Sequence, residues 1–162
     1  ALHDIGRMAI DGRILNAPDP TPEQKAILRT HTILGAQMLE NLSQYQDEPL
    51  VKFALQICRW HHERWDGSGF PDGLKGDSIP IAAQVVSLAD AYDSLVGKGD
   101  KHLALPQAQA IAELEAGTHG AFNPLLLECL RDVKDRLAEE AGMDTPAPPP
   151  EKRLPFDETS LG

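Results

Sequence analysis

The stretch from His61 to Gly76, HHERWDGSGFPDGLKG, limits what this chain can fold into. Gly67, Gly69, Gly73, Gly76 and Pro71 break any helix drawn through it, since glycine costs about 1 kcal/mol and proline about 3 kcal/mol relative to alanine inside a helix. The sequence on both sides is nevertheless helical in pattern. The stretch therefore reads as a long loop between two helices, with glycines that let the backbone approach a ligand closely. Glu63, Arg64, Asp66 and Lys75 are too many charges for a hidden turn. A loop of this composition, opening on a histidine pair, points to function rather than decoration.

The flanking helices are legible from caps and periodicity. Thr21, Pro22 and Gln24 spell a capped start, and a helix is expected from Pro22 to about Gln44. Its stripe would be Ile27, His31, Leu34, Met38 and Leu42. A second helix is expected over Pro49 to Trp60, with Leu50, Phe53, Ala54 and Ile57 inward. Pro80 opens a third, closed near Gly97, with the stripe Ile81, Val85, Leu88, Tyr92 and Leu95. Two more run from Pro106 to about Ala116 and from Pro124 to about Glu140. No stretch alternates as a strand. The expected fold class is all-α, a compact multi-helix bundle with the glycine-rich loop beside its site. Leu2 to Ile10 reads as the interior of a helix already under way, so a missing N-terminal part is expected. From Gly142 the chain turns proline-rich. The expected organisation is one domain over 1–141 and a tail or linker over 142–162.

Composition narrows the function classes. Aromatics are 5% of the 162 residues, so aliphatic side chains must build the core. Acidic residues outnumber basic ones 25 to 15, a net charge of −10. That excludes broad electrostatic binding of DNA or of an anionic membrane. An anionic substrate would need local cations or metals to oppose the global field. Cys58 and Cys129 match no metal or redox spacing and read as buried free thiols, which places the chain in a reducing compartment, the cytoplasm. No apolar run is long enough to span a membrane.

Several polar residues fall at or beside inward positions. They are His3 and Asp4 in an apolar segment, His31 on a helix stripe, His61 and His62 at a helix end, and Asp90 one turn after Val86. Asp93, three residues on, is read as capping, bonding locally or facing water. Each alone has a bland explanation: an exposed pair, a satisfied core histidine, a dipole-favouring helix end. Together, four histidines and two aspartates on four segments suit iron, manganese, zinc or similar ions. Six ligands are too many for one structural zinc and suit two metals sharing a carboxylate.

These residues, in this order, resemble the HD-GYP family of cyclic di-GMP phosphodiesterases within the HD metal-dependent phosphohydrolases. The matching stretches are LHDIGRMAI, THTILGAQML, HHERWDGSGFPDGLKGDSIPIAA, VVSLADAYDSL and GAFNP. The resemblance covers about Ala1 to Glu140. It implies metal ligands at His3, Asp4, His31, His61, His62 and Asp90, with Asp4 bridging two ions. It implies two or three divalent ions, iron or manganese ahead of zinc, nickel or magnesium, and a hydroxide held on them that attacks the phosphodiester. Asp4 and Arg7 are then the catalytic residues, and Arg7, Asp66, Gly69, Phe70 and Pro71 face the substrate. Cyclic di-GMP would be opened to linear pGpG and on to GMP. Partners implied are diguanylate cyclase domains, an upstream sensory or receiver domain, and a second copy in a homodimer.

The sequence departs from that pattern at defined places. Arg7 stands where lysine is usual, Phe70 where the family name has tyrosine, Gln84 where arginine is common, and Asn123 where aspartate is common. Gly99, Asp100, Lys101 and His102 replace an RPYR segment. The metal shell is better kept than the substrate-facing shell, which bears on affinity and turnover. Two other readings stay open at this point. One is a non-enzymatic descendant acting through nucleotide sensing or protein contacts. The other is hydrolysis of a different cyclic dinucleotide or nucleotide.

Overall fold

The computed structural model describes residues 2–97 and 104–140, and every element in them is helical. A 3-10 segment, Leu2–Ala9, leads into α1 (Gly12–Leu15), α2 (Pro22–Arg29) and α3 (His31–Glu40). A 3-10 turn at Ser43–Tyr45 precedes α4 (Pro49–Trp60). The glycine-rich loop follows, with a 3-10 turn at Gly76–Ser78, then α5 (Ile81–Val96), α6 (Gln107–Glu115) and α7 (Pro124–Glu140). The all-α expectation holds. The tail expected from Gly142 and the segment Gly99 to His102 lie outside the described residues.

The expected helix from Pro22 to Gln44 is two helices. Its start is as read: the Gln24 N–H donates to Thr21 Oγ1 and the Thr21 N–H to Gln24 Oε1. It breaks at Thr30 because two hydroxyls capture backbone carbonyls there. Thr30 Oγ1 donates to the Ile27 oxygen at 2.6 Å and Thr32 Oγ1 to the Arg29 oxygen at 3.0 Å. Such local bonds compete with the helix ladder and bend it. The chain also leaves α3 at Glu40, short of Gln44.

Two apolar clusters hold the helices together. Leu39, Ala54 and Cys58 join α3 to α4, with Ile5 of the 3-10 segment packed on them. Leu88, Ile111, Leu114, Phe122 and Leu130 join α5, α6 and α7. The buried faces differ from the stripes read in the sequence. On α4, Ala54 and Cys58 point inward while Leu50 and Phe53 are exposed. On α5, Ala83, Ser87 and Leu88 are buried while Ile81 and Val85 are exposed. Small side chains at these positions let helix axes approach closely, and large ones are turned out. α3 shows the same choice: Thr32, Gly35, Ala36 and Leu39 are buried, and Leu42 beyond its end is exposed. Cys58 is buried as expected; Cys129 is exposed, against expectation.

Candidate metal centre

The N-terminal segment is 3-10 rather than α, which stacks residues three apart. His3 and Gly6 thereby share one face, and Asp4 and Arg7 another. The Gly6 face lies directly on α3. A Cβ at Gly6 would collide with the His31 carbonyl oxygen and the Gly35 nitrogen. Only glycine permits this approach, and it brings His3 and Asp4 beside His31, the first residue of α3. Below, the Cys58 thiol donates to the Leu2 oxygen at 3.1 Å. Burial, with the Asp4 charge adding to it, pushes that thiol up to about 11, so Cys58 stays neutral and inert.

Four histidines then meet. Ring centroids lie 4.9 Å apart for His3 and His61, 5.3 Å for His31 and His61, and 4.1 Å for His61 and His62. His31 Nδ1 faces the Leu28 carbonyl at 2.6 Å, and His61 Nδ1 faces the carbonyls of Ile57 and Cys58 at 2.9 and 3.1 Å. A carbonyl only accepts, so both Nδ1 atoms carry the proton. In the neutral tautomer the Nε2 atoms are bare acceptors, and they face each other at 3.4 Å. That contact is no hydrogen bond in the neutral rings. Asp4 Oδ1 adds a third acceptor, 3.3 Å from His31 Nε2 and 4.0 Å from His61 Nε2. Three lone pairs converging on one small volume repel unless a cation lies among them, and the donor set fits a divalent metal.

The titration of these groups agrees. Burial, with neighbouring histidines adding to it, lowers His61 to about 4 and His62 to about 3, so both are neutral at pH 7 and have a lone pair to offer a metal. Burial raises the Asp4 carboxyl, but the Arg7 hydrogen bond and charge, with His3 and His31, outweigh it and hold the group below the usual range. Arg7 Nη1 donates to Asp4 Oδ2 at 2.9 Å. Two compact ligand groups result: His31, His61 and His62, and His3, Asp4 and His61. Asp90 stands at the edge of the cluster, linked through His3 Nε2 at 3.7 Å.

The loop is built around Glu63. This carboxylate is 2% exposed and accepts from the N–H groups of Asp72 and Gly73 through Oε1 and of Leu74 through Oε2. The far limb of the loop is thus tied to the residue after His62. Gly69 passes so close that a Cβ would strike the Arg64 nitrogen, the Glu63 Cα and the His62 oxygen. Phe70 then turns back, its N–H donating to the His62 oxygen, and its ring stacks on His62 at 4.8 Å. Asp72 braces the outside, accepting from Arg59 Nε and Trp60 Nε1.

Beside the histidines is a cleft of about 220 Å³, lined by Arg7, Leu28, Arg29, His31, His62 and Phe70. Of the residues expected to face a substrate, Arg7 and Phe70 line it. Asp66 does not: it is exposed, and its Oδ1 accepts from the Ser68 N–H and hydroxyl, bracing a turn. Gly69 and Pro71 support the loop rather than the cleft wall. Gln84, read as a substrate-facing departure, is 8% exposed and turned inward. Its Nε2 donates to the Ile79 oxygen, and its Oε1 accepts from Asn123 Nδ2 at 2.8 Å. The two departures from the family pattern are therefore one pair. Arg29 was not anticipated. Residues two apart on a continuous helix lie about 200° apart, so Arg29 and His31 would not share a face without the break at Thr30.

A family model described as HD domain matches residues 1–124. The chain is 34% identical over 149 residues to the cyclic di-GMP phosphodiesterase of Thermotoga maritima, covering 89% of this chain and 39% of that protein. It is 34% identical over 155 residues to a probable cyclic di-GMP phosphodiesterase of Vibrio cholerae, covering 90% of this chain and 35% of the relative. It is 38% identical over 135 residues to 3'3'-cGAMP-specific phosphodiesterase 2 of Vibrio cholerae, covering 83% of this chain and 25% of the relative. The chain thus spans a quarter to two-fifths of the length of these relatives. With the family model reaching across the 3-10 segment, the histidine cluster and the loop, the chain belongs to the HD domain family, in the branch its HD-GYP resemblance indicated.

Proposed function

We propose that this domain is a metal-dependent phosphodiesterase that opens cyclic di-GMP to linear pGpG. One observation carries the reading: His31 Nε2, His61 Nε2 and Asp4 Oδ1 converge within 3.3 to 4.0 Å beside an arginine-lined cleft. His3, Asp4, His31, His61, His62 and Asp90 would hold two divalent ions, with Asp4 shared between them. Mixed imidazole and carboxylate donors suit iron or manganese. Bound there, such ions lower the pKa of a water and neutralise phosphate charge.

The chain's own groups supply the rest. The Nδ1 bonds of His31 and His61 lock their rings in place. Arg7 lies within reach of a phosphate oxygen and balances Asp4. Phe70 gives the cleft an apolar wall. In the overall reaction water adds to phosphorus, the P–O3′ bond breaks, and the released 3′ oxygen takes the proton. The setting is the cytoplasm; no described helix is long and apolar enough to cross a membrane.

The test uses full-length protein loaded anaerobically with Fe(II) or Mn(II), with products followed by chromatography. Linear pGpG is expected. Bound metal by elemental analysis without any product would overturn the reading. Asp4→Ala is expected to lose both metal and turnover. Because one relative is named for 3'3'-cGAMP, that dinucleotide is run in competition, and a preference for it would change the substrate but not the chemistry.

A further inference from the structure

We propose that Arg29 is a substrate-anchoring residue, the cation that receives the second phosphate of a cyclic dinucleotide. The inference rests on the phosphodiesterase reading and assigns a role that the family pattern in the sequence did not suggest. Arg29 closes α2, and its carbonyl is held by the Thr32 hydroxyl at 3.0 Å. The guanidinium carbon sits 5.0 Å from the Phe70 ring centroid. An aromatic face steers a guanidinium without neutralising it, so its N–H groups remain free to bind an anion. Among the described residues, no carboxylate lies within 4.0 Å of Arg29. Arg7, the other arginine of the cleft, is already paired with Asp4 at 2.9 Å.

The charges then sort by position. A cyclic dinucleotide carries two phosphodiester anions. One must lie at the histidine–carboxylate cluster if it is to react. The other is left against a protein of net charge −10. Arg29 is the cation in the cleft with no partner of its own, and guanidinium binds phosphate in a bidentate fork. Phe70 links the two ends of the site, stacked on His62 and lying under Arg29. A substrate held at the metals is thus also held where its second phosphate meets Arg29.

The experiment compares Arg29→Ala, Arg29→Gln and Arg29→Lys with wild type in full-length, metal-loaded protein. Two readouts are taken: cyclic di-GMP binding by calorimetry, and kinetics on cyclic di-GMP and on bis(p-nitrophenyl) phosphate, which has a single phosphodiester. Loss of a charge-assisted hydrogen bond predicts a Kd and KM for cyclic di-GMP raised by roughly 10- to 100-fold in Ala and Gln. Lys should recover part of it, and the loss on bis(p-nitrophenyl) phosphate should be about tenfold smaller. Metal content by elemental analysis should match wild type. Unchanged cyclic di-GMP binding in the variants overturns the proposal while leaving the phosphodiesterase reading intact. Equal losses on both substrates, or lost metal, also overturn it. Wild-type protein that binds the dinucleotide without hydrolysing it overturns the hydrolase reading alone, and the binding comparison still decides Arg29. Wild-type protein that neither binds nor hydrolyses it overturns both.

Discussion

Gln84 and Asn123 form a neutral amide pair where the family pattern has an arginine and an aspartate. The pair is tightly specified. Gln84 Nε2 is committed to the Ile79 oxygen, which leaves Oε1 facing Asn123. Asn123 donates to that oxygen and uses its own Oδ1 to accept the Leu125 N–H at the start of α7. A neutral pair avoids removing two charges from water, a cost that a buried ion pair offsets only with excellent geometry. Single changes should therefore hurt. Gln84→Arg buries an unpaired cation and is expected to cost about 3 kcal/mol or more. Asn123→Asp removes the donor facing Oε1 and should cost about 1 to 3 kcal/mol. The double variant should regain much of the sum. Urea unfolding of all four proteins gives the coupling energy. Additive costs would mean that the two positions do not depend on each other.

Among the elements, the 3-10 segment matters most, because its placement sets the distance between Asp4 and His31. Gly6→Ala cannot be absorbed by a side-chain rotation, since the new Cβ meets backbone atoms of α3. The segment must lift, carrying His3 and Asp4 with it. Metal affinity is expected to fall by roughly 10- to 100-fold, the range seen when groups that orient ligands are lost. Calorimetric titration with Mn(II) checks this, and circular dichroism should show the helices retained. Affinity equal to wild type would remove the close packing from the account. Helices α4 to α7 could be read from the chain because prolines open them and polar or glycine residues close them. The break at Thr30 could not, since a threonine bonded to a carbonyl looks like any helical threonine. The exposed faces of α4 and α5 escaped too: hydropathy ranks Leu50 and Phe53 above Ala54, whereas close helix contact favours the small side chain. The candidate ligands and their expected grouping were legible by residue type, placement and family resemblance. The means of grouping was not, because the 3-10 geometry and the close contact at Gly6 leave no period in the sequence.

For the whole molecule, the histidine cluster couples folding to pH and to metal. His61 and His62 titrate near 6.5 when unfolded but are lowered to about 4 and about 3 by burial in the folded chain. Between those values the unfolded state binds protons that the folded site refuses. Their contribution to stability is therefore complete above about pH 6.5 and is lost as pH falls toward 4, each histidine adding a slope of about 1.4 kcal/mol per pH unit. Asp4, held below the usual carboxylate range, acts only at still lower pH. The window from 6.5 to 5 belongs mainly to the histidines. Metal-free protein unfolded in urea at pH 8, 7, 6 and 5 should show a plateau and then a decline. His62→Gln should flatten that decline whatever it does to stability at pH 8. Adding Mn(II) at 100 times its Kd should add about 2.7 kcal/mol at pH 7.5, because it binds only the folded site. That gain should hold through about pH 5 and shrink only as pH approaches about 4, where protons begin to compete with the metal for the folded site's Nε2 atoms. A metal-free protein equally stable at pH 7 and pH 5 would show that these imidazoles are not held neutral by burial, and a protonated Nε2 rather than a metal would then satisfy the acceptors around it.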